Sequence, residues 1–454
     1  MTSPQASGVW QWFQTIAPES YFDELLKQHP KRRRNRIYGT GVVIWLMIFQ
    51  RLQGDASLLT AVLALPARWK RGAAPISVAT GAYCQARQRL PTLLVKQVTD
   101  HVFETMHAQA RGPRERPVFL VDGTSLLLEH APDLLRAFPP GRNRLGENRW
   151  PVLKLVAFHD AHTGLATRPQ WGPMYGEEAV SEQWLATQAL DRLPSGALVL
   201  ADANFGIFAF AHAVVGTERP VLLRLTASRV QKILRQSSLK QSSLKQVAKK
   251  TLPKKSTRRK VLWTPSAWEM ATHPDLPTQA QLQGWVVTCA HPQKPQEKLY
   301  FFTTLEQSPK QILVLYKLRW NIETDLRNLK RTVNLHQLRG RSVEVVENQL
   351  LLAVTAYNLV RTVMFQAAQS VGCTPRQLSF AHVQAAVWAA LPALEQAGSP
   401  SLRQQRMRDL VDLAAQLKLP KRKRKRRCYP RQVWRRGASF PHRSVTPCSQ
   451  ERSQ

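Results

Sequence analysis

The sequence predicts an α/β core set between a helical N-terminal region and a helical, basic C-terminal region. Two observations predict the core. From Pro117 onward, short apolar runs alternate with stretches of helical periodicity, and strands alternating with helices indicate an α/β sheet. Two of the apolar runs also end in an aspartate, Asp122 and Asp202. The third observation is charge: 65 Lys and Arg against 30 Asp and Glu give a formal net charge of +35. Such an excess repels itself in a compact fold unless a polyanion neutralises it, which names nucleic acid as the partner.

The N-terminal segment, to about Pro113, reads as helical, with apolar residues at helical spacing over 44–63 and again over 90–106. Two basic patches punctuate it, at residues 31–36 and at Arg87 and Arg89, and a basic helical region ahead of a core suits recognition in a DNA groove. Residues 118–121 form a buried-strand run ending at Asp122. Strands are expected at 152–158 and near 166–171, a helix over 177–193, and a second buried strand at 197–201 ending at Asp202. A helix near 205–215 and a strand at 221–225 follow. Residues 228–260, polar and basic with a tandem pentapeptide at 236–245, read as an exposed loop or arm. Strand-like stretches at 284–290 and 298–304 make this insertion β-rich. A long helix is expected over 309–333, then helical segments to about residue 417 and a block of like charge at 421–427.

A chain of 454 residues with 43% hydrophobic residues supports two to four domains with developed cores. The longest apolar run, 42–49, is too short to span a bilayer, and the first residues lack a signal-peptide pattern, so a cytoplasmic protein with no membrane partner is expected. The five cysteines are scattered, without a C-x-x-C pair, and read as reduced thiols. His159 and His162 form an H-x-x-H that lacks the further ligands of a tetrahedral zinc site.

The chemistry lies in the carboxylates. Strand carboxyl ends are where functional groups gather in open α/β sheets, and hard divalent cations take oxygen ligands of this kind. An aspartate ending a strand is also a common turn former or helix cap. The long helix adds Tyr316, Arg319, Glu323 and Lys330. At 3.6 residues per turn these four fall within an arc of about 60°. The stripe of Leu315, Leu318, Ile322, Leu326, Leu329 and Val333 is centred roughly 80° away, so the quartet borders the buried face. The alternative is an Arg319–Glu323 surface pair worth about 0.3 to 0.5 kcal/mol.

Tyr316-x2-Arg319-x3-Glu323-x6-Lys330 resembles the YREK signature of the bacterial insertion sequence four family of DDE transposases. Asp122 in Val121-Asp122-Gly123-Thr124 and Asp202 in Leu200-Ala201-Asp202 match that family's two catalytic aspartates, and Trp320 and Ile322 look typical of it. The similarity covers about residues 117–365, and more weakly the N-terminal region and basic tail. One departure is Ala203-Asn204-Phe205-Gly206 after the second Asp, where family members often carry Arg-Gly and an aromatic.

The resemblance implies an RNase H-like core interrupted by a β-rich insertion. It divides the chain into a helical DNA-binding domain (1–115), core parts at 116–227 and 306–385, the insertion at 228–305, and a helical region with a basic tail at 386–454. It implies two Mg²⁺ ions, with Mn²⁺ as a substitute, held by Asp122, Asp202 and Glu323, and cut-and-paste transposition through hairpin ends. The substrates would be double-stranded transposon ends and target, gathered by a dimer in the synaptic complex. Tyr316, Arg319 and Lys330 would bind phosphates, with Arg87 and Arg89 as further DNA contacts. Trp285, ahead of Trp263 and Trp268, would receive a flipped base. A catalytically inactive DNA-binding derivative, or an RNase H-like nuclease without strand transfer, would share much of this pattern.

Overall fold

The computed structural model describes residues 17–28, 37–54, 57–65, 77–110, 116–144, 146–240, 256–292 and 294–420. The basic patch at 31–36, the second pentapeptide, and the charged block at 421–427 lie outside them. Helices α1 (Glu19–Gln28), α2 (Thr40–Gln53), α3 (Leu58–Leu63), α4 (Gly81–Gln88) and α5 (Thr92–Ala110) come first. Then follow β1 (Val118–Leu127), α6 (Pro132–Ala137), the short β2 (Arg142–Asn143) and β3 (Gly146–Glu147), β4 (Val152–Asp160) and β5 (Gln170–Pro173). Next are α7 (Glu182–Thr187), β6 (Leu198–Ala201), α8 (Phe208–Gly216), β7 (Val221–Leu225) and α9 (Ala227–Lys240). The insertion continues with β8 (Thr257–Trp263), α10 (Ala267–Thr272), β9 (Leu282–His291) and β10 (Lys294–Thr303). Last come α11 (Pro309–Lys317), α12 (Trp320–Arg327), α13 (Val343–Ser370), α14 (Phe380–Gln396) and α15 (Pro400–Gln416).

Eight strands form one sheet in the order β5-β4-β1-β6-β7-β10-β9-β8. β1 pairs antiparallel with β4 and parallel with β6, and β6 pairs parallel with β7. β10 pairs antiparallel with β7, so the strands of the insertion extend the core sheet. The described residues up to Lys418 accordingly form a single compact unit. One sheet face carries Leu120, Leu200, Leu222 and Phe301, packed against Ile312, Ile322 and Leu326 of α11 and α12. The other carries Phe119, Val121 and Val199, within the large core that includes α5 and α13. α13 is long and apolar enough to cross a membrane, but 89% of its apolar window is buried inside this core.

Three expectations are corrected. β1 runs on to Leu127, so Asp122 lies within the strand; β4 continues to pair past the point where β6 stops. Of residues 228–260, expected as an exposed loop or arm, 228–240 lie in α9 and 257–260 in β8. Val230, Ile233 and Ser237 recur at helical spacing and are buried, and the Ser237 hydroxyl bonds the backbone of Leu262 in β8. The long helix at 309–333 is three pieces. Ser308 and Gln311 form a capping box at the start of α11, i→i+3 hydrogen bonds tighten the joint at Leu318 and Arg319, and Asn328–Thr332 widens into a π-helical turn.

A buried ion cluster fixes α12. Asp325, fully buried, receives a two-pronged contact from Arg376 (Nη1–Oδ1 2.7 Å, Nη2–Oδ2 2.8 Å) and an ion pair from Arg361 of α13. Arg376 also donates to the carbonyls of Asp160 and Ala161 at the end of β4 (3.0 and 2.8 Å), and Arg361 to the Tyr357 hydroxyl (2.8 Å). Burial pushes the Asp325 carboxyl up, but the two guanidinium groups outweigh it and hold the group below its ordinary value. His159 stands 4.0 Å from Asp325, and burial pushes its imidazole down to about 4.

Breaking a buried charge pair leaves its partners uncompensated, so Asp325→Ala should lower the unfolding free energy by about 3–5 kcal/mol, read by denaturant titration. His159 has a folded pKa of about 4 against an ordinary 6.5. The unfolded chain therefore takes up the proton first, and stability is lost as pH falls from 6.5 toward 4. His159→Gln should flatten part of that fall in a pH series of thermal midpoints; an unchanged slope would count against the assignment.

Candidate active site

The parallel register of β1 and β6 places the two aspartates. Val118, Phe119 and Leu120 pair with Leu198, Val199 and Leu200. Two residues beyond the last pair, Asp122 within β1 and Asp202 just past the end of β6 continue this register, in which paired strands lie about 4.8 Å apart. Side chains alternate along a strand, so both aspartates project to the face of Leu120 and Leu200. That is the face covered by α11 and α12.

Asp122 Oδ1 accepts from the Gly123 amide at 2.9 Å, and its carboxyl is pushed up to about 6. Burial is the main cause; the neighbouring Asp202 and Glu182 add to it, while the Gly123 amide and Arg319 act against it. Asp202 Oδ1 accepts from the Asn204 amide at 2.9 Å. Arg319 bridges the strands to the helix, with Nη2 3.6 Å from Asp202 Oδ2 and Nη1 3.3 Å from Glu323 Oε1. Glu323, in the first turn of α12, is half exposed beside it.

Lys330 lies in the π-helical turn, and its Nζ donates to Thr124 Oγ1 (2.9 Å) and to the Ser125 carbonyl (3.0 Å). It thus reaches β1 two residues beyond Asp122. Tyr316 is buried, its ring 4.7 Å from that of Phe301, and burial pushes its phenol up. The quartet does not line one regular helix, as the spacing suggested, because the helix is tightened before Trp320 and widened after Arg327. All four residues still face the aspartate side of the sheet, with Tyr316 in the packing layer, Arg319 and Glu323 at Asp202, and Lys330 over β1.

The turn after Asp202, where the sequence departs from the family, is anchored. Phe205 is fully buried, Arg229 Nη1 donates to the Ala203 carbonyl at 2.8 Å, and a Cβ at Gly206 would stand 2.4 Å from the backbone oxygen of Arg224.

Glu182, at the start of α7, was not singled out by the sequence. Its Oε2 accepts from Asn204 Nδ2 at 2.6 Å, and its side chain lies against Gly123. Ser181 caps this helix through the Trp184 amide, and a carboxylate in a helix's first turn is ordinary, so no sequence signal marked it.

The remaining candidates lie elsewhere. Trp285 is half-buried on β9, packed at the α11 layer, with the Arg258 guanidinium 4.0 Å from its ring centroid. Trp263 is buried and Trp268 exposed. Arg89 is exposed. The expected DNA contact at Arg87 is corrected: its side chain is buried, lining a small cavity with Gln50, Arg51 and Gln349. Burial of α4 against α2 turned it inward. Arg51 beside it is likewise buried and is pushed down to about 10, by burial first and by Arg87 second.

The oxygen donors of Asp122, Asp202 and Glu323 are of the kind hard divalent cations take. Among the described residues no group of three His, Cys, Asp or Glu is drawn together tightly enough to hold an ion. The Arg319 guanidinium supplies the positive charge between Asp202 and Glu323.

The fold is mixed α/β, with Asp122 inside β1, Asp202 just past the end of β6, and the helix-borne Glu323 on the same side of the sheet. Residues 113–359 match the family model described as Transposase DDE domain, and the chain belongs to this family of DDE transposases. It is 28% identical over 375 residues to the transposase InsG for insertion sequence element IS4 of Escherichia coli (strain K12). That match covers 80% of this chain and 78% of the relative, and agrees with the resemblance carried by Tyr316, Arg319, Glu323 and Lys330. Among solved structures, a piggyBac transposase synaptic complex with hairpin DNA is matched at a TM-score of 0.43 and 10% identity, over 92% of this chain and 87% of that one.

Gly206→Ala tests the anchoring of the Asp202 turn. A Cβ facing backbone must displace it, at a cost of about 1–3 kcal/mol, so the thermal midpoint should fall. An unchanged midpoint would show that the turn relaxes freely.

Proposed function

We propose that the protein is the cut-and-paste transposase of an insertion sequence, binding terminal inverted repeats, cutting at them through hairpin ends, and joining the freed 3′-hydroxyls to target DNA. The observation that carries this reading is the parallel register of β1 with β6, which ends two residues before Asp122 and Asp202, with Glu323 tied to Asp202 through Arg319. The run β5-β4-β1-β6-β7, three antiparallel strands joined to two parallel ones, supports an RNase H-like core.

Asp122, Asp202 and Glu323 would hold two Mg²⁺ ions, or Mn²⁺ in their place. Such ions, when bound, activate a water or a 3′-hydroxyl and stabilise the leaving oxygen of an in-line displacement at phosphorus. The chain's own residues do the rest. Arg319 offers a planar fork suited to two-pronged phosphate contact, and Lys330 a point charge beside β1. An incoming phosphate would compete with Asp202 and Glu323 for Arg319, freeing both carboxylates for cation. Tyr316 fixes the base of this layer. Trp285 is the proposed receiver of a flipped base, which would require Arg258 to leave its ring or share it. Arg89, with the 1–115 helical region, would contribute to DNA binding, and two ends would be held by a dimer. The net charge of +35 supports a polyanionic substrate.

The test uses the purified chain and duplex DNA carrying the sequences that flank its coding region. Cleavage in Mg²⁺ or Mn²⁺, and joining of pre-cleaved 3′-hydroxyl ends, are the expected results. Asp122→Ala, Asp202→Ala and Glu323→Ala should each abolish both reactions while end binding in a mobility-shift assay persists. Full activity in any one variant removes that residue from the site. Cutting without joining would identify a nuclease, and binding without cutting an inactive DNA-binding derivative.

A further inference from the structure

Gly123 follows the first aspartate, and the space a side chain would fill there is taken by another residue. A Cβ built at Gly123 would stand 2.3 Å from Glu182 Oε1 and 2.4 Å from its Cδ. Glu182 belongs to α7, whose Leu185 and Ala186 pack in the core layer of Phe119 and Val121, on the sheet face opposite α12. Its carboxylate therefore reaches the aspartate-bearing edge from behind, where β6 has ceased to pair with β1.

The other oxygen of Glu182 accepts from Asn204 Nδ2 at 2.6 Å, and the Asn204 amide donates to Asp202 Oδ1 at 2.9 Å. Gln183, the next residue of α7, donates through Nε2 to the Asn204 carbonyl (2.7 Å) and to Asn204 Oδ1 (3.0 Å). Asn204 is thus gripped at both ends of its side-chain amide, which aims the NH₂ at Glu182. A continuous path, Gly123–Glu182–Asn204–Asp202, spans the gap between two strands that no longer share backbone hydrogen bonds.

We propose that Glu182 is a positioning residue for the metal-binding pair: it holds the Asp202 turn against β1 at Gly123 and so sets the separation of Asp122 and Asp202. Gly123 is glycine to admit it. An ordinary first-turn carboxylate accounts for neither the contact with Gly123 nor the bond to Asn204. The assignment rests on Asp122 and Asp202 being cation ligands. Groups that orient metal ligands typically contribute 10–100-fold to affinity or activity, so the effect is measurable.

The experiment titrates Mn²⁺ alone into the full-length chain, following free Mn²⁺ by electron paramagnetic resonance, with far- and near-ultraviolet circular dichroism confirming the fold of each variant. Glu182→Ala should weaken Mn²⁺ binding by about 10–100-fold. Gly123→Ala, which expels the carboxylate, and Asn204→Ala, which cuts the link on its solvent side, should each produce a loss of that order. The Glu182→Ala/Asn204→Ala double variant should be no worse than the stronger single one, because both act through one contact. Glu182→Gln keeps an acceptor for Asn204 and should retain most of the affinity. Wild-type affinity in Glu182→Ala or Asn204→Ala overturns the proposal. A Gln variant as weak as the Ala one also overturns it, since the charge would then act directly on the ion. Failure of the wild-type chain to bind Mn²⁺, with Asp202→Ala indistinguishable from it, would instead remove the metal-binding reading beneath it.

Discussion

The geometry of the site depends on the fully buried carboxylate of Asp325, two residues past Glu323. An ionised group so deep in the core is tolerated only where opposite charge and hydrogen bonds replace its water. Arg361 and Arg376 provide both, and Arg376 is itself tied to the carbonyls that end β4. Through one side chain, α12 is fastened to α13 and to the sheet. The orientation of Glu323 follows, because two residues along a helix fix the azimuth of one side chain relative to the other. His159, read in sequence as half of an H-x-x-H, belongs to this cluster: its ring lies against Asp325 and is held neutral by burial.

The sheet supplies the complementary constraint. Adjacent parallel strands in fixed register bring Asp122 and Asp202 side by side, and their mutual repulsion contributes to the raised Asp122 carboxyl. Like charges at this spacing either hold a proton between them or take a cation beside them. Arg319 supplies positive charge at Asp202 and Glu323. The π-helical turn after Arg327 lets Lys330 reach Thr124 and Ser125, which adds a second tie between the helix and the aspartate strand. Such single π-helical turns inside α-helices are frequent at functional sites.

The insertion shows how local reading and tertiary pairing diverge. β9 and β10 were expected from their apolar character, whereas β8 begins in a stretch read as loop, and the edge they join was not expected: β10 pairs with β7, so β8, β9 and β10 prolong the core sheet. α9 was hidden because Ser237 and the polar residues around it suggest a loop. The helix becomes favourable only once Val230 and Ile233 have a core to enter and Ser237 can satisfy the backbone of β8. Arg87 is the opposite case, a cation read as a DNA contact whose side chain is buried.

The sequence by itself determined the α/β alternation, the partner class through charge, and the residues that carry the family signature. These are encoded in residue type and short-range periodicity, and the match over residues 113–359 agrees with them. Only the tertiary structure decided which side chains meet. Register between β1 and β6, the burial of Asp325 between arginines from distant segments, and the reach of Glu182 to Gly123 and Asn204 all join residues tens of positions apart. Such contacts depend on how layers pack, and residue spacing along a chain carries no information about that packing. A carboxylate in a helix's first turn looks the same in sequence whether it faces water or a neighbouring strand; packing alone separates the two.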